Sequence, residues 1–357
     1  MLRLLHRWLG LTIGLVLVVT SLSGSWLIYN REWRSPEFVV EVETQTISLE
    51  QLYKIALTEI GTSGGIVIRY PQSQELPYQF WAINDGHERV FINQYTGDIL
   101  AKYKPDYWPY GWAFELHTEL LAGHQGETAL GFFGLLALII VLTGVILWLP
   151  KRGQRISKHL KIRLNKSNYV RNFDLHRHIG ILAAPVLIIT LMTGITLVFN
   201  KEFGLLVNSL TNSQVAKAPK PLISNNLSRV NLDSILETAN TIMPGGRVGI
   251  IIVPTDNKPI VVRKQMQDDP HPNGLNFIHI DATSGKLLQV IPVSQADTAR
   301  KLFNWIYPLH TGQIFNDWYD WILFALGLVP ALMLFTASMT FYLRNNFSTR
   351  LKHQQKS

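Results

Sequence analysis

Cysteine is absent from all 357 residues. That excludes structural disulfides, thiolate zinc sites, cysteine-held iron–sulfur clusters and covalently attached c-type haem. A metal or haem in this chain must be held by histidine, methionine, carboxylate or tyrosine. Charge is scarce as well. Asp, Glu, Lys and Arg make up 16% of the residues against 47% hydrophobic, where a soluble domain carries about 25% charged residues. The sequence also lacks a P-loop, H-E-x-x-H, and any G-x-G-x-x-G following a strand, so it shows no nicotinamide, flavin or nucleotide site of its own.

The missing charge is concentrated. Residues 8–30, 129–149, 178–200 and 321–343 each run for 21 residues or more without Lys, Arg, Asp or Glu. A membrane-crossing helix needs about 20 such residues at 1.5 Å each. Trp26, Trp148, Trp318 and Trp321 lie near the span ends, where amphipathic rings favour the headgroup layer. The first span also fits a signal peptide, but its pattern recurs at residue 175, where no signal peptidase acts.

The loops set the expected orientation. Residues 151–177 carry nine Lys/Arg and one acid, Asp174, whereas residues 30–127 carry seven Lys/Arg against fourteen Asp/Glu. Short basic loops stay inside and long segments cross, so both termini and the 151–177 loop are expected in the cytoplasm. The net charge of +8 is thereby explained by membrane edges, and no nucleic-acid partner is expected.

The chain also matches itself. Leu5-His6-Arg7-Trp8-Leu9-Gly10 aligns with Leu175-His176-Arg177-His178-Ile179-Gly180, and Leu116-His117-Thr118 with Leu309-His310-Thr311. The expected fold is an α-helical membrane protein of four transmembrane helices in two tandem repeats, each with an α+β domain inserted between its two helices. Its segments are a first span over 1–30, an outer domain with an interfacial segment over 31–127, and a second span over 128–150. A basic cytoplasmic loop over 151–175, a third span over 176–200 and a second outer domain over 201–317 follow. The last span covers 318–343 and the cytoplasmic tail 344–357. In the first outer domain Ser48-Leu49-Glu50-Gln51 is a capping box opening a helix to about Ile60, followed by strands over 66–70, 78–83 and 89–93. In the second, Asn231 or Asp233 opens a helix to about Ile242, with strands over 248–253, 259–264 and 276–280. Residues 216–226 have linker composition.

Four histidines recur in the repeat: His6 with His176, and His117 with His310. Histidine at a membrane boundary is a functional candidate by default, and two imidazoles related by a twofold axis suit the opposite faces of one flat ligand, as in bis-histidine haem ligation. The competing reading makes them interfacial anchors or relics of duplication. Without cysteine, b-type haem fits better than c-type. His6, Gly10 and Gly14 share a helix stripe, as do His176 and Gly180. The small pairs Ser23-Gly24, Thr143-Gly144, Thr193-Gly194 and Thr336-Ala337 suit either helix contact or cofactor packing. Arg7 and Arg177 suit either haem propionates or positive-inside anchoring. His178 and His124 have no partner in the other copy, and each stays open as a substitute for its neighbour. His271 and His279 read as surface or strand residues. Tyr107, Trp108, Tyr110, Trp112, Trp305 and Tyr307 form an outer aromatic cluster, suited to an interfacial belt or to substrate docking.

Together, Leu5-His6-Arg7-Trp8-Leu9-Gly10, Leu116-His117, Leu142-Thr143-Gly144 with Trp148, and the Thr96-Gly97-Asp98 turn resemble the PepSY-associated transmembrane family. The chain is similar in particular to its iron-regulated, haem-containing siderophore reductases of the bacterial inner membrane. That resemblance implies two b-haems in a four-helix membrane domain, with PepSY-like periplasmic domains in the outer segments. It implies that electrons pass from a separate cytoplasmic or membrane donor to a periplasmic ferric-siderophore, releasing Fe(II). The inner haem would be held by His6 and His176 and the outer by His117 and His310. Ala337 departs from the Thr-Gly pattern. The alternative is a membrane-anchored PepSY-type protein-binding module that modulates a secreted or periplasmic peptidase.

Overall fold

The computed structural model describes the whole chain except residues 38, 63, 84–88, 104–108, 151–155, 157–159, 216, 218, 221–228, 256–257, 316–317 and 355–357. Tyr107, Trp108 and most of the expected 216–226 linker lie outside the described residues.

Among the described residues, four helices are long and apolar enough to cross a bilayer: α1 (Leu2–Glu37), α4 (Gly123–Trp148), α5 (Asn168–Val198) and α9 (Trp318–Gln354). Their spanning portions are Leu2–Asn30, Gly123–Trp148, Asn168–Val198 and Trp318–Asn345. The apolar side chains they turn outward, such as Leu182 at 83% and Phe335 at 60% exposure, need hydrocarbon rather than water around them. A short helix, α3 (Tyr110–Glu119), precedes α4. These helices form one compact unit, residues 1–29, 113–200 and 315–357. Within it α5 packs against both α4 and α9. The α1–α9 contact is made where the Ser25 hydroxyl donates to Phe324 O at 2.9 Å, over Gly327, where a side chain would collide with Ser25 Oγ. Small residues are what let membrane helices approach this closely.

Asp174, the single acid of the basic stretch, is fully buried near the start of α5. Arg163 grips its carboxylate through Nε and Nη2, both at 2.9 Å, and through its own backbone N–H at 3.0 Å. The basic segment is thereby pinned to its helix.

The second unit comprises residues 30–112 and 201–314. It contains α2 (Leu49–Ile60), β1 (Ile66–Arg69), β2 (Tyr78–Ala82), β3 (Arg89–Ile92) and β4 (Ile99–Tyr103). After α6 (Asn200–Leu210) the same order recurs as α7 (Leu232–Ile242), β5 (Arg247–Val253), β6 (Ile260–Gln265), β7 (Asn276–Ile280) and β8 (Leu287–Ile291), followed by α8 (Thr298–Thr311). The two halves are not separate modules. All eight strands make one antiparallel sheet in the order β4-β3-β2-β1-β5-β6-β7-β8. The joint is the β1–β5 ladder, Ile66↔Val253 through Arg69↔Ile250. Each half would otherwise present an unpaired inner edge, and pairing the edges satisfies both rows of backbone groups.

On one face of the sheet α2 and α7 bury Leu52, Ala56, Leu232 and Ile235 against Ile66, Ile68, Phe80, Ile251 and Ile278. The helices also cap each other. The Asp233 carboxylate accepts from Leu49 N and Glu50 N at the start of α2, while Glu50 accepts from Leu232 N at the start of α7 and from Arg229. Carboxylates at helix N-termini satisfy the orphan N–H groups and the positive end of the helix dipole. Glu50→Gln is expected to lower the stability of this unit by about 1–3 kcal/mol. Hydrogen exchange should then speed up first at the α7 N-terminus, and unchanged exchange there would contradict the assignment.

Candidate functional site

His6 lies one turn into α1, and α4 supplies what holds it. Its Nδ1 stands 3.1 Å from Ile140 O and 3.0 Å from Thr143 Oγ1. Thr143 gives its own proton to Ile139 O at 2.7 Å, so to the imidazole it presents an accepting oxygen. A Cβ on Gly144 would come within 3.1 Å of His6 Cε1. His176, in the first turns of α5, is held the same way by α9. Its Nδ1 lies 3.0 Å from Thr336 Oγ1, whose proton goes to Leu332 O at 2.8 Å. His117, near the end of α3, places Nδ1 2.8 Å from Thr20 O on α1, over Gly24.

In all three the Nδ1 partner is an acceptor, so Nδ1 carries the proton and Nε2 the lone pair. That is the tautomer an imidazole uses to ligate a metal through Nε2. The Thr-Gly and Thr-Ala pairs of α4 and α9 therefore seat histidines, a role the sequence left between helix contact and cofactor packing. What marked them was their recurrence at equivalent depth in each second span, although nothing local said which histidine would meet which threonine.

The His6 and His176 rings stand 6.3 Å apart, centre to centre, with planes at 81°. Two imidazoles bound through Nε2 to one metal, at about 2 Å each, place their ring centres about 6 Å apart. An edge-to-face contact between the two rings spans the same distance, so the separation is compatible with one iron between the two Nε2 atoms without requiring it. Among the described residues no three of His, Asp and Glu gather as a conventional metal site.

Other candidates are also placed. Gly10 leaves open space where a Cβ would stand, whereas Gly14 meets Leu334 and Gly180 meets Met333, so those two glycines serve helix packing. Arg7 lies over Trp8 and Phe341 with its Nε buried and unbonded. Arg177 is 3.9 Å from Asp174. His178 donates from Nδ1 to Asp174 O in its own helix, and its buried Nε2 has no hydrogen bond. His124 is exposed and turned to Glu127 at 3.1 Å. His310 closes α8 in the sheet unit, while His117 belongs to the helical unit.

His271 and His279, expected at the surface or along a strand, are both buried, at 8% exposure. His271 stacks on Tyr307 at 4.8 Å and accepts from Asn273 N. Burial, with Arg263 and Arg69 nearby, pushes its pKa down to about 3. An unfolded chain protonates this histidine near pH 6.5. Stability from the neutral form is therefore complete above pH 6.5 and is lost as pH falls towards 3. Between pH 6.5 and 4 the loss is expected to be about 3 kcal/mol. Urea unfolding of the wild type and His271→Gln across that range should give a flatter slope for the variant, and equal slopes would contradict this.

Four apolar helices and a single sheet unit define a multi-pass helical membrane protein. The sequence profile of the PepSY-associated TM region matches residues 3–344, and the chain belongs to that family. Comparison with curated proteins finds no match.

Proposed function

We propose that this protein is a di-haem b electron-transfer protein of the bacterial inner membrane that reduces periplasmic ferric-siderophore and releases Fe(II) for uptake. The observation that carries this reading is the His6–His176 pair, with rings 6.3 Å apart and both Nδ1 atoms committed to accepting groups. His117 with His310 would hold the second haem. Haem b supplies one-electron chemistry when bound, at a potential set by axial ligands and burial. Thr143 and Thr336 orient the inner imidazoles, and Thr20 O orients His117. Arg7 and Arg177, each one residue after an inner histidine, would meet the propionates.

In this reading the chain is a tandem repeat, with both termini in the cytoplasm and the PepSY-like sheet unit in the periplasm. The Lys/Arg excess of the 151–177 stretch supports that orientation. One electron per iron comes from a separate cytoplasmic or membrane donor and converts Fe(III) in the chelate to Fe(II).

The test is a reduced-minus-oxidised spectrum with pyridine haemochrome quantification. About two b-haems per chain are expected, and His117→Ala should lose one of them together with outer-surface ferric reduction. Protein made with haem available but containing none would overturn the proposal and favour the peptidase-modulating alternative.

A further inference from the structure

The face of the sheet turned away from α2 and α7 gathers positive charge. Arg69 and Arg263 flank Ile250 in one cross-strand row, and Arg89 stands opposite Trp81. The Arg69 and Arg89 guanidinium groups both lie 5.4 Å from the Trp81 ring. Those of Arg263 and Arg300 lie 5.4 and 4.7 Å from the Phe277 ring. Strand positions on this face carry no Asp or Glu. Arg69 Nε and Arg300 Nη1 are buried without a hydrogen bond, and Arg263 has only the neutral Gly274 carbonyl for Nε and Nη2. Arg300 has one loose acid, Asp297 at 3.9 Å.

Gathering guanidinium groups in a half-buried place is unfavourable by itself. Burial and the Arg69 charge pull Arg89 and Arg263 down to about 10, yet both stay cationic at neutral pH. Aromatic faces offset part of this cost but supply no hydrogen-bond acceptor. Among the described residues, Arg69 and Arg263 have no ion pair with a carboxylate, and Arg300 has only the loose one to Asp297. Arg69 and Arg263 sit two strands apart, about 10 Å between backbones. A ligand with carboxylates spread over a comparable distance can answer both, one to each guanidinium.

We propose that this arginine face binds a soluble polycarboxylate anion, each carboxylate taken by a guanidinium fork of Arg69 or Arg263, with Arg300 contributing. Tyr307, neighbour to Arg69, Arg89 and Arg263 and stacked on His271, borders the site. Combined with the reductase reading, and resting on it for this step alone, the substrate becomes an anionic, carboxylate-bearing ferric chelate rather than an uncharged one.

The first test is equilibrium dialysis of radiolabelled citrate, iron-free, against the purified full chain. We expect saturable binding that acetate at equal concentration does not displace. Arg69→Gln and Arg263→Gln should each weaken it at least tenfold, and Lys54→Gln should leave it unchanged. A second measurement uses only wild-type protein, so it does not depend on the variants folding: citrate should protect Arg69 and Arg263 from phenylglyoxal, read by mass spectrometry. No saturable citrate binding, or binding indifferent to both arginines, would overturn the proposal. So would protection given by phosphatidylglycerol vesicles and not by citrate, which would assign the face to lipid. The two readings fail separately. Citrate protection in haem-free protein leaves the anion site standing and removes the reductase. Haem-dependent reduction of uncharged ferric chelates without citrate protection does the reverse.

Discussion

His6→Ala and His176→Ala are each expected to lower haem content from about two to about one per chain, with the outer haem spectrum retained. Either substitution removes one of two imidazoles whose rings stand 6.3 Å apart, and a single remaining histidine cannot hold a six-coordinate b-type iron. His178→Ala is the control. His178 bonds within its own helix, and it is His176 that faces His6, so this variant should keep both haems. Retention of the inner haem in His176→Ala with its loss in His178→Ala would transfer the ligand to His178. Thr143→Val tests orientation rather than ligation. His6 keeps Ile140 O, so haem should remain while the midpoint potential of the inner site shifts.

The second large effect is expected at Gly24. A Cβ there would lie 2.6 Å from His117 Cε1 and 3.0 Å from its Nδ1, closer than any side chain tolerates. Gly24→Val should displace the imidazole, break its 2.8 Å bond to Thr20 O and remove the outer haem while sparing the inner one. Losing a hydrogen bond of this kind costs about 1–3 kcal/mol, enough to misplace a ligand without unfolding a four-helix bundle. Pyridine haemochrome quantification and the melting temperature of the same sample separate the two results. Two haems retained in folded Gly24→Val would show that the glycine does not seat the ligand.

Much of the architecture is legible locally. The four uncharged stretches locate all four apolar helices, because the length of a span is fixed by bilayer thickness. The helices extend beyond them, α1 and α9 most of all, since polar residues continue a helix past the membrane edge. The Ser48–Gln51 capping box is present as read, and Asn231 rather than Asp233 caps its own helix. Asp233 instead caps α2, 184 positions away from Leu49. Six strands fall close to the expected places. The sheet-edge strands β4 and β8 do not alternate clearly, since Ile99, Leu100 and Leu287 are exposed, and period-two reading therefore passes over them.

The sequence by itself determined where the apolar helices lie, that Ser48 and Gln51 form the capping box of α2, and which histidines and arginines are candidates. Each of these follows from spacing within a few turns of chain. Only the tertiary structure decided that β1 and β5 join two halves into one sheet, that Thr143 and Thr336 receive His6 and His176, and that Arg69, Arg89, Arg263 and Arg300 share one face. Those outcomes depend on which edges pair and where helices cross. Such choices are set by burial and backbone satisfaction between segments far apart in the chain, and a local pattern does not contain them.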